Sequence, residues 1–397
     1  MAKLSLKDLD LKGKTVVMRV DFNVPLKDGV VGDDNRIRQA LLSINHVTEA
    51  GAKLVLLSHL GRPKGEPNPE FSLKPVAEHL KTLVTSNVYF GEDCIGEKAQ
   101  DAIDSAKPGD IILLENVRFH AGETKNDPEL SKALAAHGDL FVNDAFGSSH
   151  RAHCSVAGIT EFLQPAASGY LLQKEIDYLK ESVENPKRPF VAVLGGAKVS
   201  DKIGVIENLI TKVDTIIIGG AMTYTFYKAK GLPIGSSLLE ADKVELAASL
   251  MKNAKANNVE ILLPVDSVVG KEFREDTESK TVAEDGIEDG WMAMDIGPKS
   301  AERFGEVIKK AKTVIWNGPM GVFEMDSFAK GTFAVAEAMS AATASGAITI
   351  IGGGDSASAI KKAGLEEKVS HVSTGGGASL EYLEGKELPG ITCLTDN

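Results

Sequence analysis

The sequence predicts an α/β protein made of two doubly wound, Rossmann-like parallel-sheet domains joined by a hinge. Short apolar runs alternate with helix-periodic stretches along the whole chain, which is typical of parallel strands connected by crossover helices. The chain has 397 residues, of which 43% are hydrophobic. This is enough for two cores, because single cores stop growing near about 250–300 residues. Two prolines also interrupt a long helical pattern near the middle of the chain.

The individual elements follow from these runs. In the first half, apolar runs predict strands at residues 15–20, 53–58, 111–114 and 140–143, and helical periodicity predicts helices such as 37–50 and 129–136. In the second half, the same patterns predict strands at 190–194, 215–218, 261–263, 313–316, 348–351 and 369–373, with helices at 201–210, 241–256, 301–311 and 331–344. Both halves therefore have the alternation expected of a doubly wound domain.

The domain boundary is predicted where the helical pattern of residues 171–183 ends. Pro186 and Pro189 follow within a few residues, and proline disfavours helical backbone in the residue before it. We therefore predict a first domain over residues 1–184 and a second over 185–377. The hinge is placed at residues 184–189 together with the segment that returns after Gly377.

Composition excludes several classes of protein. The formal net charge of −12 argues against a nucleic-acid or acidic-membrane partner. No apolar stretch approaches the roughly 18 residues of a membrane span, and the first residues lack the apolar segment of an export signal. Three widely spaced cysteines, Cys94, Cys154 and Cys393, suit a reducing cytosol. We expect a cytoplasmic protein, and a metal site at residues 150–154 is disfavoured because no second Cys/His pair follows at zinc spacing.

Three apolar runs in the second half end in glycine clusters that precede helical segments. The clusters begin at Gly195, Gly352 and Gly375. A strand that leads through glycine into a helix can present free backbone N–H groups and a positive dipole end to an anion. Each cluster by itself is explained as well by a tight turn. The three together favour a polyphosphate site.

Polar and cationic residues follow each strand of the first half, and the carboxyl ends of parallel strands are where α/β proteins bind ligands. Arginine suits carboxylates and phosphates because its planar guanidinium group can donate two parallel hydrogen bonds to two of their oxygens. One such arginine is ordinarily a solvated surface group, but repetition at several strand ends favours a binding site for a small, multiply charged anion. The residues are Asp21, Asn23, Arg36, His59 (if protonated), Arg62, Arg118 and Arg151.

The second half offers matching groups for a phosphorylated ligand. Lys198 and Lys202 are four residues apart, so both can face the same loop, with Ser200 between them as a candidate helix N-cap. Asp355 either caps the following helix or holds Mg²⁺ on phosphate oxygens. Asn317 and Glu324 are candidate partners of a nucleoside sugar.

Familiar nucleotide motifs are incomplete in this chain. Gly13-Lys14-Thr15 resembles the end of a P-loop but precedes a strand instead of following one. The glycine pattern at residues 352–357 matches a dinucleotide fingerprint, yet the next predicted strand lacks the acidic ribose ligand. An NAD-dependent dehydrogenase is therefore disfavoured. A non-catalytic anion-binding protein stays an alternative, although the expected export signal of a transport protein is missing.

Seven strings, in one order along nearly the whole chain, resemble the 3-phosphoglycerate kinase family. They are Arg19-Val-Asp-Phe-Asn-Val-Pro25, Ser58-His-Leu-Gly-Arg-Pro63, Glu115-Asn-Val-Arg-Phe-His120, Asn143-Asp-Ala-Phe-Gly147 with His150-Arg-Ala-His153, Leu194-Gly-Gly-Ala-Lys-Val-Ser-Asp-Lys202, Asn317-Gly-Pro-Met-Gly-Val-Phe-Glu324 and Gly352-Gly-Gly-Asp355. Small departures occur at Leu42-Ser43, Ala221 and Ala293, of which the last two bear on how a base is contacted.

The resemblance implies an enzyme that transfers the acyl phosphate of 1,3-bisphosphoglycerate to MgADP, giving 3-phosphoglycerate and MgATP. It implies that the first domain binds phosphoglycerate, that the tail 378–397 packs back on that domain, and that the protein is a monomer. It also implies that the second domain binds the nucleotide, through Lys198, Lys202, Gly219, Gly220, Ala293, Asn317, Glu324, Gly353, Gly354, Asp355 and Ser356.

The acceptor chemistry predicts the mechanism. In the ATP-consuming direction the nucleophile is a carboxylate that is already ionised at neutral pH, so no general base is required. Catalysis then depends on alignment and on neutralising the oxygens of the transferred phosphoryl group. We assign this work to Arg36, Lys198, Mg²⁺ held by Asp355, and backbone N–H groups at Gly375 and Gly376.

Overall fold

The computed structural model describes residues 3–397 and divides the chain into two compact units. The N-unit runs to Asp177 and includes Glu387–Asn397, and the C-unit is Tyr178–Lys386. No helix within residues 3–397 is long and apolar enough to cross a membrane.

The N-unit contains a six-stranded sheet in which every pairing is parallel. The sheet is formed by β1 (Thr15–Arg19), β4 (Lys53–Leu57), β5 (Val88–Gly91), β6 (Ile111–Leu114), β7 (Leu140–Asn143) and β8 (Ala166–Ser168), and β2 (Leu26–Lys27) and β3 (Val30–Val31) form a small hairpin. The helices are α1 (Asn35–Glu49), α2 (Lys74–Leu80), α3 (Gly96–Ser105), α4 (Pro128–Ala135) and α5 (Tyr170–Glu184), of which α5 begins in the N-unit and ends in the C-unit. The sheet order is β5-β6-β4-β1-β7-β8.

The C-unit contains a second all-parallel sheet and a small antiparallel one. Its strands are β9 (Phe190–Leu194), β10 (Thr215–Ile218), β11 (Glu260–Leu262), β12 (Asp266–Gly270), β13 (Ser279–Ala283), β14 (Met292–Ile296), β15 (Thr313–Asn317), β16 (Ile348–Gly352) and β17 (His371–Val372), and its helices are α6 (Ile203–Leu209), α7 (Thr223–Ala229), α8 (Val244–Ala256), α9 (Pro298–Lys310), α10 (Lys330–Ala344), α11 (Gly354–Lys362) and α12 (Gly376–Leu383). The large sheet has the order β11-β10-β9-β15-β16-β17, and β13-β12-β14 form the antiparallel sheet.

Both large sheets are covered on both faces, which confirms the predicted fold class. Every residue of β9 is buried, and so are all residues of β1 after the first. Successive residues of a strand point to opposite faces, so such runs require helices on both sides of the sheet. In each sheet the chain starts at a central strand, adds strands on one side of it and then adds the remaining strands on the other side. The change of direction falls between β1 and β7 in the first sheet and between β9 and β15 in the second, and each is a topological switch point. Ligands of α/β sheets bind at such switch points.

The bounds of the two units differ from the predicted domain bounds at two places. The division falls inside α5, because Tyr178 stacks on His371 of the C-unit with ring centroids 4.8 Å apart. The return to the N-unit begins at Glu387 rather than at residue 378, because Asn208 donates a 2.8 Å hydrogen bond to the carbonyl of Leu383 and keeps α12 in the C-unit. A short helix α13 (Pro389–Thr392) follows, and Asn143 donates to the carbonyl of Gly390 at 2.8 Å.

Candidate active site

The carboxyl ends of β1, β4, β6 and β7 carry the polar residues predicted for the N-unit. The strands pair in register, with Arg19 opposite both Leu57 and Asn143, so the segments that follow them leave the sheet at one edge. Arg36 lies in the first turn of α1. The sheet register therefore brings groups distant in sequence to one end of the N-unit.

Asp21 and Asn23 organise this edge. The Arg36 guanidinium lies 2.9 Å from the Asp21 carboxylate, with side chains 38% and 12% exposed respectively. Asn23 accepts a 2.9 Å hydrogen bond from the backbone N–H of Gly61, and its own N–H donates to Asp21 at 3.2 Å. Asp21 therefore orients the Arg36 guanidinium.

Arg118 is half-buried beside the same loop. It donates a 2.9 Å hydrogen bond to the carbonyl of Gly61, while its buried Nε has no partner among the described residues. Burial lowers the pKa of Arg118, and the charge of the exposed Arg62 lowers it further against the opposing effect of Glu123 and Asp21. Arginine remains charged throughout, so positive charge is concentrated here.

His59 was expected to be a cation of this edge only if protonated, and its surroundings disfavour protonation. The side chain is only 5% exposed. Burial holds its pKa well below the ordinary value, and the charges of Arg19, Arg118 and Arg36 lower it further. Burial and the charges of Arg19 and Arg118 also lower the pKa of His153 to about 4, with His150 and Arg151 contributing further. Both imidazoles are therefore neutral, and among the predicted site residues of the N-unit the positive charge belongs to the arginines.

In the C-unit, two of the three glycine junctions have the predicted form. Gly353 and Gly375 occupy the N-cap positions of α11 and α12. A Cβ on Gly376 would lie 3.0 Å from the Cα of Gly353 and 3.0 Å from the nitrogen of Gly354. The two helix N-termini therefore touch, and the first N–H groups of a helix have no partner within the helix. The N–H of Gly375 donates a 3.2 Å hydrogen bond to the hydroxyl of Ser373.

The first glycine junction differs from the prediction. After Gly195 and Gly196 a loop of non-helical residues precedes α6, and Ser200 is not the N-cap. The Ser200 hydroxyl donates a 2.5 Å hydrogen bond to Glu240 instead. A carboxylate outside the helix takes this hydroxyl, so Ser200 does not cap α6, which begins at Ile203.

Close packing explains why several positions of the predicted nucleotide site are glycine. A Cβ on Gly195 would lie 2.0 Å from the carbonyl oxygen of Pro319, and one on Gly220 would lie 2.5 Å from the nitrogen of Gly196. At Gly219 it would meet the sulfur of Met320 at 2.4 Å. These glycines let the turns after β9, β10 and β15 lie against one another.

The two lysines near the start of α6 have different surroundings. Lys198 is exposed, whereas Lys202 is half-buried and its ammonium contacts the side-chain oxygen of Asn317. Burial lowers the pKa of Lys202. The amide nitrogen of Asn317 is buried and has no hydrogen-bond partner among residues 3–397. It lies beside the Cβ positions of Gly352 and Gly353, at 3.2 and 3.3 Å.

Two neighbouring polar residues in the first turn of α11 differ in their exposure to solvent. Ser356 is buried and its hydroxyl accepts a 2.6 Å hydrogen bond from the N–H of Gly318, so it holds the turn after β15. Asp355 is exposed in the first helical turn. No side chain caps this helix, so the alternative prediction that Asp355 caps it is wrong.

Two further predicted residues lie farther along the chain. Ala293 is on β14, and its N–H donates a 2.9 Å hydrogen bond to the hydroxyl of Ser237. Glu324 is exposed. The N–H of Val322 donates to the carbonyl of Met294 at 2.8 Å, so the segments that carry Ala293 and Glu324 lie side by side.

The comparisons with known proteins agree with this arrangement. A family model described as "Phosphoglycerate kinase" matches residues 6–386. The chain belongs to the phosphoglycerate kinase family. Phosphoglycerate kinase from Chloroherpeton thalassium is 57% identical over 396 residues, covering 100% of both chains, and that from Clostridium novyi is 56% identical, covering 99% of each.

Solved structures of kinases from this family have the same fold. The phosphoglycerate kinase of Coxiella burnetii matches with a TM-score of 0.89 and 41% identity, covering 99% of this chain and 98% of that one. The enzyme of Pyrococcus horikoshii matches with a TM-score of 0.84 and 33% identity, covering 98% of each chain. The protein is thus a phosphotransferase of glycolysis.

Two buried residues of the kinase's N-unit were not among the predicted site residues. Arg19 is the last residue of β1 and is fully buried, and so is Glu123, which follows β6 by several residues. Arg19 could have been singled out from the sequence, because it is a charged residue within the predicted strand 15–20. Glu123 lies in a polar segment and carries no such signal.

Proposed function

We propose that the N-unit binds the phosphoglycerate and the C-unit binds the Mg-nucleotide of the phosphoglycerate kinase reaction. In that reaction the acyl phosphate of 1,3-bisphosphoglycerate passes reversibly to MgADP and gives 3-phosphoglycerate and MgATP. The observation that supports the first assignment is the group of arginines at one edge of the N-unit sheet, beside neutral His59. Its members are Arg36, Arg62, Arg118 and Arg151.

The chemistry of this edge suits a ligand with a carboxylate and a phosphate. Paired guanidinium N–H groups match both kinds of oxygen. Asp21 and Asn23, which hold Arg36 and the Gly61 loop, are the proposed acceptors of a hydrogen bond from the ligand's hydroxyl. Neutral His59 supplies a hydrogen bond without adding a charge.

The C-unit offers a phosphate-binding surface formed by the N-termini of α11 and α12. Backbone N–H groups at Gly353, Gly354, Gly375 and Gly376 are the proposed phosphate ligands, since helix N-termini and the helix dipole favour anions. The N–H of Gly375 would exchange its present partner, the hydroxyl of Ser373, for a phosphate oxygen. Lys198 and Lys202 supply positive charge from the neighbouring loop. Asn317, Glu324, Ala293, Gly219, Gly220 and Ser356 are the proposed surroundings of the nucleoside or its supporting turns.

Mg²⁺ enters this proposal as part of the nucleotide substrate. Mg²⁺ is ordinarily held by one or two carboxylates together with substrate phosphates rather than by a complete protein cage. Asp355 fits that requirement, because it is exposed next to the proposed phosphate surface and makes no capping hydrogen bond in α11. When bound, the ion neutralises phosphate oxygens.

The proposed mechanism needs no general base, because the acceptor carboxylate is ionised at neutral pH. Arg36 and Lys198 stabilise the phosphoryl group during transfer, and the N–H groups of Gly375 and Gly376 complete its charge neutralisation. We further propose that the enzyme works as a cytoplasmic monomer and that the units close over both ligands, which keeps the acyl phosphate from water.

Calorimetry on two arginine variants tests the assignment of ligands to units. Arg62→Ala should weaken 3-phosphoglycerate binding by about tenfold or more, since a hydrogen bond to a charged group is lost, and should leave MgADP binding unchanged. Arg274→Ala is the matched control, because Arg274 is an exposed arginine of the C-unit that pairs with Glu272 at 3.0 Å. It should change neither affinity.

Loss of MgADP affinity in Arg62→Ala, with normal 3-phosphoglycerate binding, would reverse the assignment. The activity itself is checked by a coupled assay for ADP formation that depends on 3-phosphoglycerate. A wild-type protein without such activity would contradict the proposed function as a whole.

A further inference from the structure

A chain of hydrogen bonds runs from buried Glu123 to the imidazole of His59. Glu123 accepts from the Ser155 hydroxyl at 2.6 Å. The Ser155 oxygen accepts from Nε of Arg19 at 2.8 Å. A terminal nitrogen of Arg19 lies 3.0 Å from Nδ1 of His59. Each of the four residues is at most 5% exposed, so water does not compete for these partners.

The direction of every bond in this chain is determined by its members. A guanidinium has only donors, and an ionised carboxylate has only acceptors. Ser155 has one hydroxyl proton, which goes to Glu123, and its oxygen is then left to accept from Arg19. Nδ1 of His59 must likewise accept from Arg19. A neutral imidazole carries a single N–H, so that proton is on Nε2.

Burial and the charges of the neighbouring arginines lower the pKa of His59 and keep its imidazole neutral. Glu123 also balances the charge of Arg19, whose burial in the sheet would otherwise be unfavourable. Its second carboxylate oxygen accepts from the N–H of Ser155 at 3.0 Å. Both carboxylate oxygens therefore hold one residue, and that residue holds Arg19.

We propose that Glu123 and Ser155 are positioning residues that act through Arg19 to hold His59 as the Nε2–H tautomer, which donates a hydrogen bond to the anion of phosphoglycerate. This rests on the proposed phosphoglycerate site of the N-unit. The other tautomer would present the Nε2 lone pair to the anion and repel it. A purely structural ion pair would stabilise the fold without choosing between tautomers, and this difference makes the proposal testable.

The test is ¹⁵N NMR of the full chain labelled at histidine, recorded without ligand. In the wild type, the His59 nitrogens should have the shifts of a protonated Nε2 and an unprotonated Nδ1. In Ser155→Ala the tautomers should become mixed, and the KM for 3-phosphoglycerate should rise roughly threefold to tenfold, as expected for a weakened hydrogen bond to an anion. The KM for MgADP should stay the same.

Ser43→Ala is the matched control. Ser43 is fully buried in α1 of the same unit, and its hydroxyl accepts a 2.9 Å hydrogen bond from the N–H of Tyr170. The variant should lose stability but keep the His59 tautomer and both KM values. Ser155→Thr, which retains the hydroxyl, should restore the pure Nε2–H form. If Ser155→Ala does not fold, the double variant Arg19→Gln/Glu123→Gln removes both buried charges together and should also give mixed tautomers.

An Nδ1–H tautomer in the wild type would overturn the proposal at once. A pure Nε2–H tautomer retained in both Ser155→Ala and the double variant would overturn it as well. The tautomer is measured without ligand, so it is independent of the proposed function. A wild type with the expected tautomer but no affinity for 3-phosphoglycerate would contradict the proposed function and leave the positioning of His59 standing.

Discussion

Replacing Gly354 by alanine separates the fold of the C-unit from its proposed nucleotide binding. Gly354 is the first residue of α11, and a Cβ added there meets no atom within 4 Å. Alanine is a better helix former than glycine and also lowers the entropy of the unfolded chain. The variant should therefore be as stable as the wild type or more stable by up to about 1 kcal/mol.

The added methyl group should nevertheless impair nucleotide binding, because it occupies the space above the N–H groups where we place the phosphates. Loss of one hydrogen bond to a charged phosphate costs about 1.5–3 kcal/mol. This corresponds to a rise in the KM for MgADP of about 10- to 150-fold. The KM for 3-phosphoglycerate should not change, since its proposed ligands belong to the N-unit.

Gly305→Ala is the control for this substitution. Gly305 lies within α9 of the same unit, and its Cβ would be 3.8 Å from that of Ala338, an ordinary contact. It should gain stability without any change in KM. Thermal unfolding and steady-state kinetics on both variants make the comparison. A KM for MgADP within about twofold of the wild type in a stable Gly354→Ala protein would refute the phosphate site at α11.

Four further outcomes are expected. Arg36→Ala should lower kcat by about 10³–10⁵ and change 3-phosphoglycerate affinity much less; equal losses below about tenfold in calorimetry and kinetics would make it an ordinary binding residue. Asp355→Asn should weaken MgADP binding with 3-phosphoglycerate affinity nearly intact, and calorimetry showing the reverse would contradict the assignment. Burial raises the pKa of Asp295 from 3.8 to about 7, so its contribution to stability is complete below about pH 3.8 and is lost as pH rises through 7. Denaturant unfolding of the wild type should thus lose about 1.4 kcal/mol from this group between about pH 6 and 8, a loss missing in Asp295→Asn, and identical pH dependence of the two proteins would contradict it. Small-angle scattering should give a smaller radius of gyration with 3-phosphoglycerate plus a non-reactive Mg-ATP analogue than with either alone; an unchanged radius in the ternary complex would exclude large-scale closure.

The central strands were the most predictable elements. The bounds of β6, β7, β9 and β10 match the predicted apolar runs, because residues buried on both faces form continuous apolar segments. The antiparallel sheet was not predicted. Residues of β13 alternate between exposed and half-buried, and a surface strand with polar side chains has too weak a pattern to stand out. The last strand is shorter than the apolar run that predicts it, 369–373.

The candidate site was partly predictable, because some of its residues belong to patterns that are local in the sequence. Strand ends and glycine clusters are local signals, and they marked Asp21, Arg118 and the junctions of α11 and α12. Ser200 and the first glycine cluster were misread, because the partner of the Ser200 hydroxyl is Glu240. A hydrogen bond between residues this far apart leaves no trace in the local pattern.

The sequence by itself determined the α/β class, the parallel strands, the membership of a kinase family and the kinds of residue at the strand ends. Periodicity and side-chain chemistry depend on neighbours along the chain, so they can be read from it. Only the tertiary structure decided that His59 is neutral and that Arg19 donates to it. Burial removes water from the imidazole and surrounds it with arginines from other segments, and the protonation of a side chain depends on those neighbours in space.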